Sequence, residues 1–156
     1  MRVIAVDPGY DRIGVAILEL QNGQELLLHS ECIETDKNQP LHERLVFLGN
    51  SFVALLKNYQ PDTLGIETIF FNKNIKTAIG VAQARGILLF LAQTEGCQVF
   101  EFGPQEIKIA VTGYGKSDKS AVIDMTKRLV DNCPPNALDD EYDAIAVGIT
   151  CLAHHG

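Results

Sequence analysis

Asn22-Gly23 lies between two strand-like runs, Ile13–Leu20 and Glu25–Glu34. An Asn-Gly pair in that setting is the strongest short-range hairpin signal a sequence carries, so these runs are predicted to pair antiparallel. Ahead of them, residues 2–7 are a continuous apolar run closed by Asp7-Pro8-Gly9, which reads as a buried strand ending in a turn. The chain therefore opens as a three-stranded meander. Beyond it, helices and strands alternate. Leu41–Tyr59 carries Leu41, Arg44, Leu45, Leu48, Phe52, Leu55 and Leu56 at helical spacing, and Pro61-Asp62 breaks it. Thr63–Glu67 is a short strand, Ile75–Thr94 a long helix ended near Gly96, and Gln98–Phe102 a fifth strand. Pro104 can open a short helix over Gln105–Val111. Thr112–Lys116 is a Gly-rich loop, and Ser117–Val130 is helical with Ser117 and Asp118 as candidate N-caps. Pro134-Pro135 stops that helix, and Ala137–Ala153 is the last.

A meander followed by helix-strand-helix-strand predicts one mixed sheet. A right-handed crossover places the fourth strand beside the first and parallel to it. The fold class is then α/β, an RNase H-like fold with a five-stranded mixed sheet flanked by helices on both faces. With 156 residues, 46% of them apolar, the chain suits one domain over residues 1–156 with a single sizeable core. Cys32, Cys97, Cys133 and Cys151 are widely spaced and form no C-x-x-C. That excludes a zinc knuckle and points to reduced thiols and a cytoplasmic protein. The N-terminus runs straight into a strand and lacks a signal-peptide layout, and no apolar run approaches a membrane span.

The net charge of −7 alone speaks against a nucleic-acid partner, but its distribution does not. Residues 68–138 hold eight basic and six acidic residues, and the remainder five basic and fourteen acidic. The acids that matter sit at strand and helix ends. Asp7 ends the first strand and Glu67 the fourth. If those strands are parallel neighbours, both carboxylates leave the sheet at its carboxyl end, where ligand sites favour such folds. Asp-Pro-Gly is also ordinary turn chemistry, and a Glu can simply be a solvated strand end. Asp140 and Asp143 share a helix face with Val147 and Cys151. The macrodipole accounts for acids in a first helical turn, Asp139 and Glu141 among them, but less well for an acid leading into the apolar stripe. Four carboxylates brought together need a cation. Hard oxygen donors select Mg²⁺ or Mn²⁺, and two such ions about 3.5–4 Å apart support phosphodiester cleavage. Two divalent ions also offset four of the negative charges.

The motifs converge on one family. Ile4-Ala5-Val6-Asp7-Pro8-Gly9, Ile66-Glu67-Thr68-Ile69-Phe70-Phe71-Asn72-Lys73-Asn74, Ala82-Gln83-Ala84-Arg85-Gly86 and Asp140-Glu141-Tyr142-Asp143-Ala144 occur in this order. Over essentially its whole length the chain resembles the RuvC-type Holliday junction resolvases, which are crossover junction endodeoxyribonucleases. The resemblance implies that Asp7, Glu67, Asp140 and Asp143 are the catalytic, metal-binding acids, with two Mg²⁺ per site and Mn²⁺ able to substitute. It implies symmetric nicking of a four-way DNA junction in recombination and repair by a bacterial homodimer, leaving 5′-phosphate and 3′-hydroxyl ends. The RuvA-RuvB branch-migration complex is an implied partner. Phe70 matches an aromatic expected to stack on an unpaired base. Lys108 and Lys119 match basic positions, and Lys73, Lys76, Arg85 and Lys116 are further phosphate candidates; for each the plainer reading is a solvated charge. Gly86 within a helix suggests close packing, such as at a dimer surface. The His154-His155 pair reads as a frayed tail rather than a ligand set.

Other readings remain. Asp-x-Gly before a hairpin also opens actin-like and sugar-kinase ATPases, but 156 residues leave no room for their second domain. Arg12-Ile13-Gly14-Val15-Ala16 resembles small RNase H-like nucleases that process ribosomal RNA, which lack the E-x-x-F-x-x-N and Q-A-R-G segments. A non-catalytic junction-binding module is expected to lose one or more acids, and all four are present.

Overall fold

The computed structural model describes residues 1–9, 11–69 and 75–156, with Ile75 in its backbone only. The element order is β1 (Arg2–Asp7), β2 (Arg12–Gln21), β3 (Gln24–Glu34), α1 (Leu41–Tyr59), β4 (Thr63–Glu67), α2 (Ile75–Thr94), β5 (Gln98–Phe102), α3 (Pro104–Thr112), α4 (Lys119–Leu129) and α5 (Asp139–His155). Among the described residues the strands form one mixed sheet in the order β3-β2-β1-β4-β5. β1–β2 and β2–β3 are antiparallel, while β1–β4 and β4–β5 are parallel. Asn22 and Gly23 both have positive φ at the hairpin, as a type I′ turn requires. The predicted meander and the crossover that sets β4 beside β1 are both present.

Strand alternation feeds two cores. Val3 and Ala5 of β1 face one side of the sheet, with Ala16 and Leu18 of β2, and meet α3, α4 and α5. Ile4 and Val6, with Ile13, Val15 and Ile17, face the other side and meet Leu48 and Phe52 of α1 and Leu88 of α2. A strand buried on both faces loses the polar alternation of a half-exposed strand and reads as a continuous apolar run, which is how β1 reads.

α5 crosses the sheet and touches every strand of it. It packs unusually close. A Cβ on Gly148 would lie 2.3 Å from Leu18 Cδ1, and one on Gly14 would lie 1.8 Å from the backbone oxygen of Asp140. Two helices begin two residues later than expected, and α5 runs on through His155, which stacks on Phe100, so the His154-His155 pair is not a frayed tail. α4 begins at Lys119 rather than Ser117, because the Asp118 side chain accepts the Ala121 N–H at 2.8 Å and so serves as the cap. α5 begins at Asp139 rather than Ala137, with Leu138 extended before it. Here the Tyr142 hydroxyl accepts the Ala137 N–H at 3.2 Å and donates to the Pro134 carbonyl at 2.7 Å, which holds the preceding residues out of the helix.

Candidate active site

Asp7 closes β1 and Glu67 closes β4, and the two strands are parallel neighbours, Val6 lying opposite Ile66. Both carboxylates therefore emerge at the carboxyl end of the sheet. Asp140 and Asp143 come to the same place on the first turns of α5. That turn is held from several sides. Gly14, the register partner of Asp7 on β2, gives its backbone room to lie against the sheet. The Ser30 hydroxyl of β3 donates to Glu141 at 2.5 Å. Arg12, first residue of β2, sets its guanidinium 3.1 Å from Asp140 Oδ2.

The four acids share one field. Asp7 is pushed up to about 8, chiefly by burial, then by the charges of Glu67, Asp143 and Asp140. A hydrogen bond to Glu67 adds to the rise in Asp7 and opposes the rise in Glu67. Asp7 is therefore the member that carries the proton and donates it to the Glu67 carboxylate. Glu67 is itself raised, first by burial and then by Asp143. Burial also raises Asp143, against the pull of Lys119. Lys119 Nζ donates to Asp143 Oδ2 at 2.9 Å and lies 3.5 Å from Asp139. Burial disfavours its charge, but the pairing with Asp143 outweighs that and its affinity for the proton rises.

Among the described residues, no three carboxylate, imidazole or thiol groups draw close enough to form a ready-made metal cage. Two of the four acids engage bases instead, Asp140 with Arg12 and Asp143 with Lys119. The donor set nonetheless fits a hard divalent cation. It is all carboxylate oxygen. One acid holds a proton well above the carboxylate range, as like charges demand without a counter-ion. Asp140 Oδ2 is shut off from solvent and has no hydrogen-bond partner, since the Arg12 contact lacks hydrogen-bond alignment.

A cleft of about 260 Å³ beside the acids is lined by Glu67, Asp143, Lys108 and Lys119, with Pro104, Ile107, Val122 and Ala146 as its apolar wall. Lys108 and Lys119 thus stand where the sequence places them, next to the carboxylates. Lys116 and Lys76 are exposed, in the α3–α4 loop and at the start of α2. Arg85 is drawn elsewhere: its guanidinium pairs with Glu101 of β5 and is largely buried, so it lines neither cleft beside the acids. Phe70 and Lys73 lie outside the described residues. Gly86 is exposed and a Cβ there would meet open space, so no packing among the described residues accounts for it.

Sequence reasoning missed the bases behind the acids. Arg44 of α1, only 5% exposed, donates to Asp11 Oδ1 and to the Thr35 hydroxyl, both at 2.8 Å. The Asp11 carbonyl accepts the Thr35 N–H. This clasp fixes Asp11, and with it the start of β2 at Arg12. An arginine among the apolar positions of a helix was the available signal.

Residues 3–151 match the family described as "Crossover junction endodeoxyribonuclease RuvC". The chain is 40% identical over 153 residues to the Crossover junction endodeoxyribonuclease RuvC of Thermosipho melanesiensis, covering 98% of this chain and 97% of that protein. It is 39% identical over 155 residues to the protein of the same description from Pelotomaculum thermopropionicum, covering 99% and 94%. The solved structure of Thermus thermophilus RuvC in complex with Holliday junction substrate superposes with a TM-score of 0.92 at 26% identity, covering 99% of this chain and 94% of that one.

Proposed function

Because the chain belongs to the RuvC family of crossover junction endodeoxyribonucleases, we infer that it resolves four-way DNA junctions, hydrolysing the phosphodiester at Asp7, Glu67, Asp140 and Asp143. The observation that carries the assignment of residues is the convergence of these four carboxylates at the carboxyl end of the parallel strands β1 and β4 beside the first turns of α5, where burial and like charge raise Asp7. Such an array is costly to fold and is relieved by cations, so it serves a purpose other than stability.

Divalent ions bound by these acids would activate a water and stabilise charge on the attacking and leaving oxygens. Mg²⁺ suits the all-oxygen donors and Mn²⁺ is expected to replace it. The chain's own residues do the rest. Asp7 gives up its proton as positive charge arrives, and its carboxylate then lies between β4 and α5. Glu67, at the neighbouring strand end, accepts from Asp7 while Asp7 is protonated. Lys119 holds Asp143 and, with Lys108, faces the cleft where a scissile strand would lie. Both ammonium groups are placed to meet backbone phosphate. Lys76 and Lys116 extend the basic surface, and Phe70 and Lys73 belong to the same reading through the motif that follows Glu67. A homodimer, which sets two such sites on opposed strands, accounts for symmetric nicking. Association with a RuvA-RuvB branch-migration complex would supply the junction, in the bacterial cytoplasm.

The test is Asp7→Asn. In EDTA the variant should bind a four-way junction as wild type does, and with Mg²⁺ it should nick at least about a thousand-fold more slowly, since a ligand and its charge are lost together. Mg²⁺-dependent nicking at the wild-type rate would remove Asp7 from the mechanism.

A further inference from the structure

The acids are flanked by a second cleft, on the side away from Lys108 and Lys119. It measures about 570 Å³ and is lined by Gly9, Asp11, Arg12, Glu34, Thr35, Lys37, Thr77 and Asp140. Of its charged groups Lys37 pairs with Asp11, which Arg44 also reaches from α1, and Arg12 pairs with Asp140, while Glu34, opposite Arg12 on β3, has no ion pair among the described residues. The last pair differs from the others. Asp11 takes an aligned hydrogen bond from Arg44, whereas Arg12 meets Asp140 Oδ2 by charge alone and leaves that oxygen buried without a hydrogen-bond partner. Arg12 therefore covers a carboxylate oxygen without satisfying it. Its side chain is 48% exposed against 27% for Asp140, and it opens onto the cleft, so it has space to swing away. The backbone beneath it does not move with it. β2 is locked to α5 through Gly14, and the Arg44 clasp holds the preceding residue.

We propose that Arg12 is a resident counter-ion of Asp140 that a divalent cation must displace, so that this side chain sets the affinity of the acidic site for metal. The proposal rests on the assignment of Asp140 as a metal ligand. In the metal-free protein, with Asp7 protonated, the guanidinium offsets one of the charges left on the clustered acids. When a cation arrives, Arg12 repels it and competes for the same oxygen, and it yields by turning into the cleft. An arginine that instead oriented Asp140 for metal would donate an aligned hydrogen bond to the oxygen not used for coordination, and this one does not.

The experiment measures Mg²⁺ and Mn²⁺ binding to the DNA-free protein by calorimetric titration. The proteins are wild type, Arg12→Gln, Lys37→Gln and Asp140→Asn. Arg12→Gln should bind cation about five-fold more tightly than wild type, the scale of releasing one partly exposed ion pair. Lys37→Gln makes the same change in net charge in the same cleft but acts on Asp11, and should shift affinity by less than about two-fold at 0.15 M salt. Equal gains in both variants would reduce the effect to net charge and overturn the proposal. An unchanged or weaker affinity in Arg12→Gln, with its metal-free melting temperature near wild type, would overturn it too and make Arg12 an orienting group. The underlying site assignment fails separately, if Asp140→Asn binds cation as well as wild type does.

Discussion

Among single residues, the proton on Asp7 has consequences for stability. Its affinity for the proton is raised on folding, from the ordinary 3.8 to about 8. Below about pH 4 the carboxyl is protonated in both states and the folded protein keeps the full benefit. As pH rises the unfolded chain ionises first, and that benefit is lost progressively until the folded group ionises near pH 8, at no more than about 1.4 kcal/mol per pH unit. Asp7→Asn, which stays neutral and can still donate to Glu67, escapes this loss. In EDTA its melting temperature should exceed that of wild type by several degrees at pH 8, about 5 °C or more, with the gap closing towards pH 4. Calorimetric scans across that range check it; parallel curves would contradict the protonation state given to Asp7. Arg44 makes the opposite case. Its guanidinium is buried and donates to Asp11 and Thr35. Arg44→Met keeps the bulk and loses those bonds, and should cost about 2 kcal/mol in urea unfolding.

Between elements, the position of the site depends on how closely α5 lies on the sheet. Gly14→Ala would drive a Cβ to within 1.8 Å of the Asp140 carbonyl. Backbone cannot yield to that as a side-chain end can, so the first turn of α5 must lift, taking Asp140 and Asp143 with it. We expect a loss of about 2–3 kcal/mol in stability together with most of the nicking activity. Full stability with full activity would show that the turn accommodates the methyl. The elements also separate what the sequence disclosed from what it hid. The bounds of α1, β4, α2 and β5 were legible because Pro61-Asp62, Gly96 and Pro104 punctuate them and because the buried strand β4 reads as an apolar run. The start of α5 was not, because a local side-chain bond to the Tyr142 hydroxyl holds Ala137 outside the helix. The four acids were legible as strand ends and as a polar start to an apolar stripe. Arg12 was hidden for a different reason: its partner is 128 positions away in sequence, and only the pairing of β2 with β1 and the docking of α5 bring them together. The ion pair of Arg85 was hidden for a like reason, because nothing local shows that Glu101 on β5 faces it.

For the molecule as a whole, the question is how a chain of net charge −7 holds a polyanion. Four of the twenty acids stand in the proposed site, where bound cations would offset them, while Lys108 and Lys119 face the cleft beside it. Binding should therefore depend on both metal and salt. At a Mg²⁺ concentration a hundred times its dissociation constant, the wild-type protein should gain about 2.7 kcal/mol in stability, and Asp140→Asn clearly less. Lys108→Gln should lower the slope of log affinity for a four-way junction against log salt by about one, without changing its preference among junction sequences. No helix among the described residues is long and apolar enough to cross a membrane.

Whether this chain resolves junctions is decided by cleavage of an end-labelled mobile four-way DNA junction at low salt, with Mg²⁺, Mn²⁺ or EDTA, beside linear duplex and an RNA–DNA hybrid. We expect paired nicks at symmetric positions on the junction alone, with either metal and not with EDTA, bearing 5′-phosphate and 3′-hydroxyl ends. Junction binding without nicks under every metal condition, or cleavage of the hybrid in preference to the junction, would refute a metal-dependent resolvase.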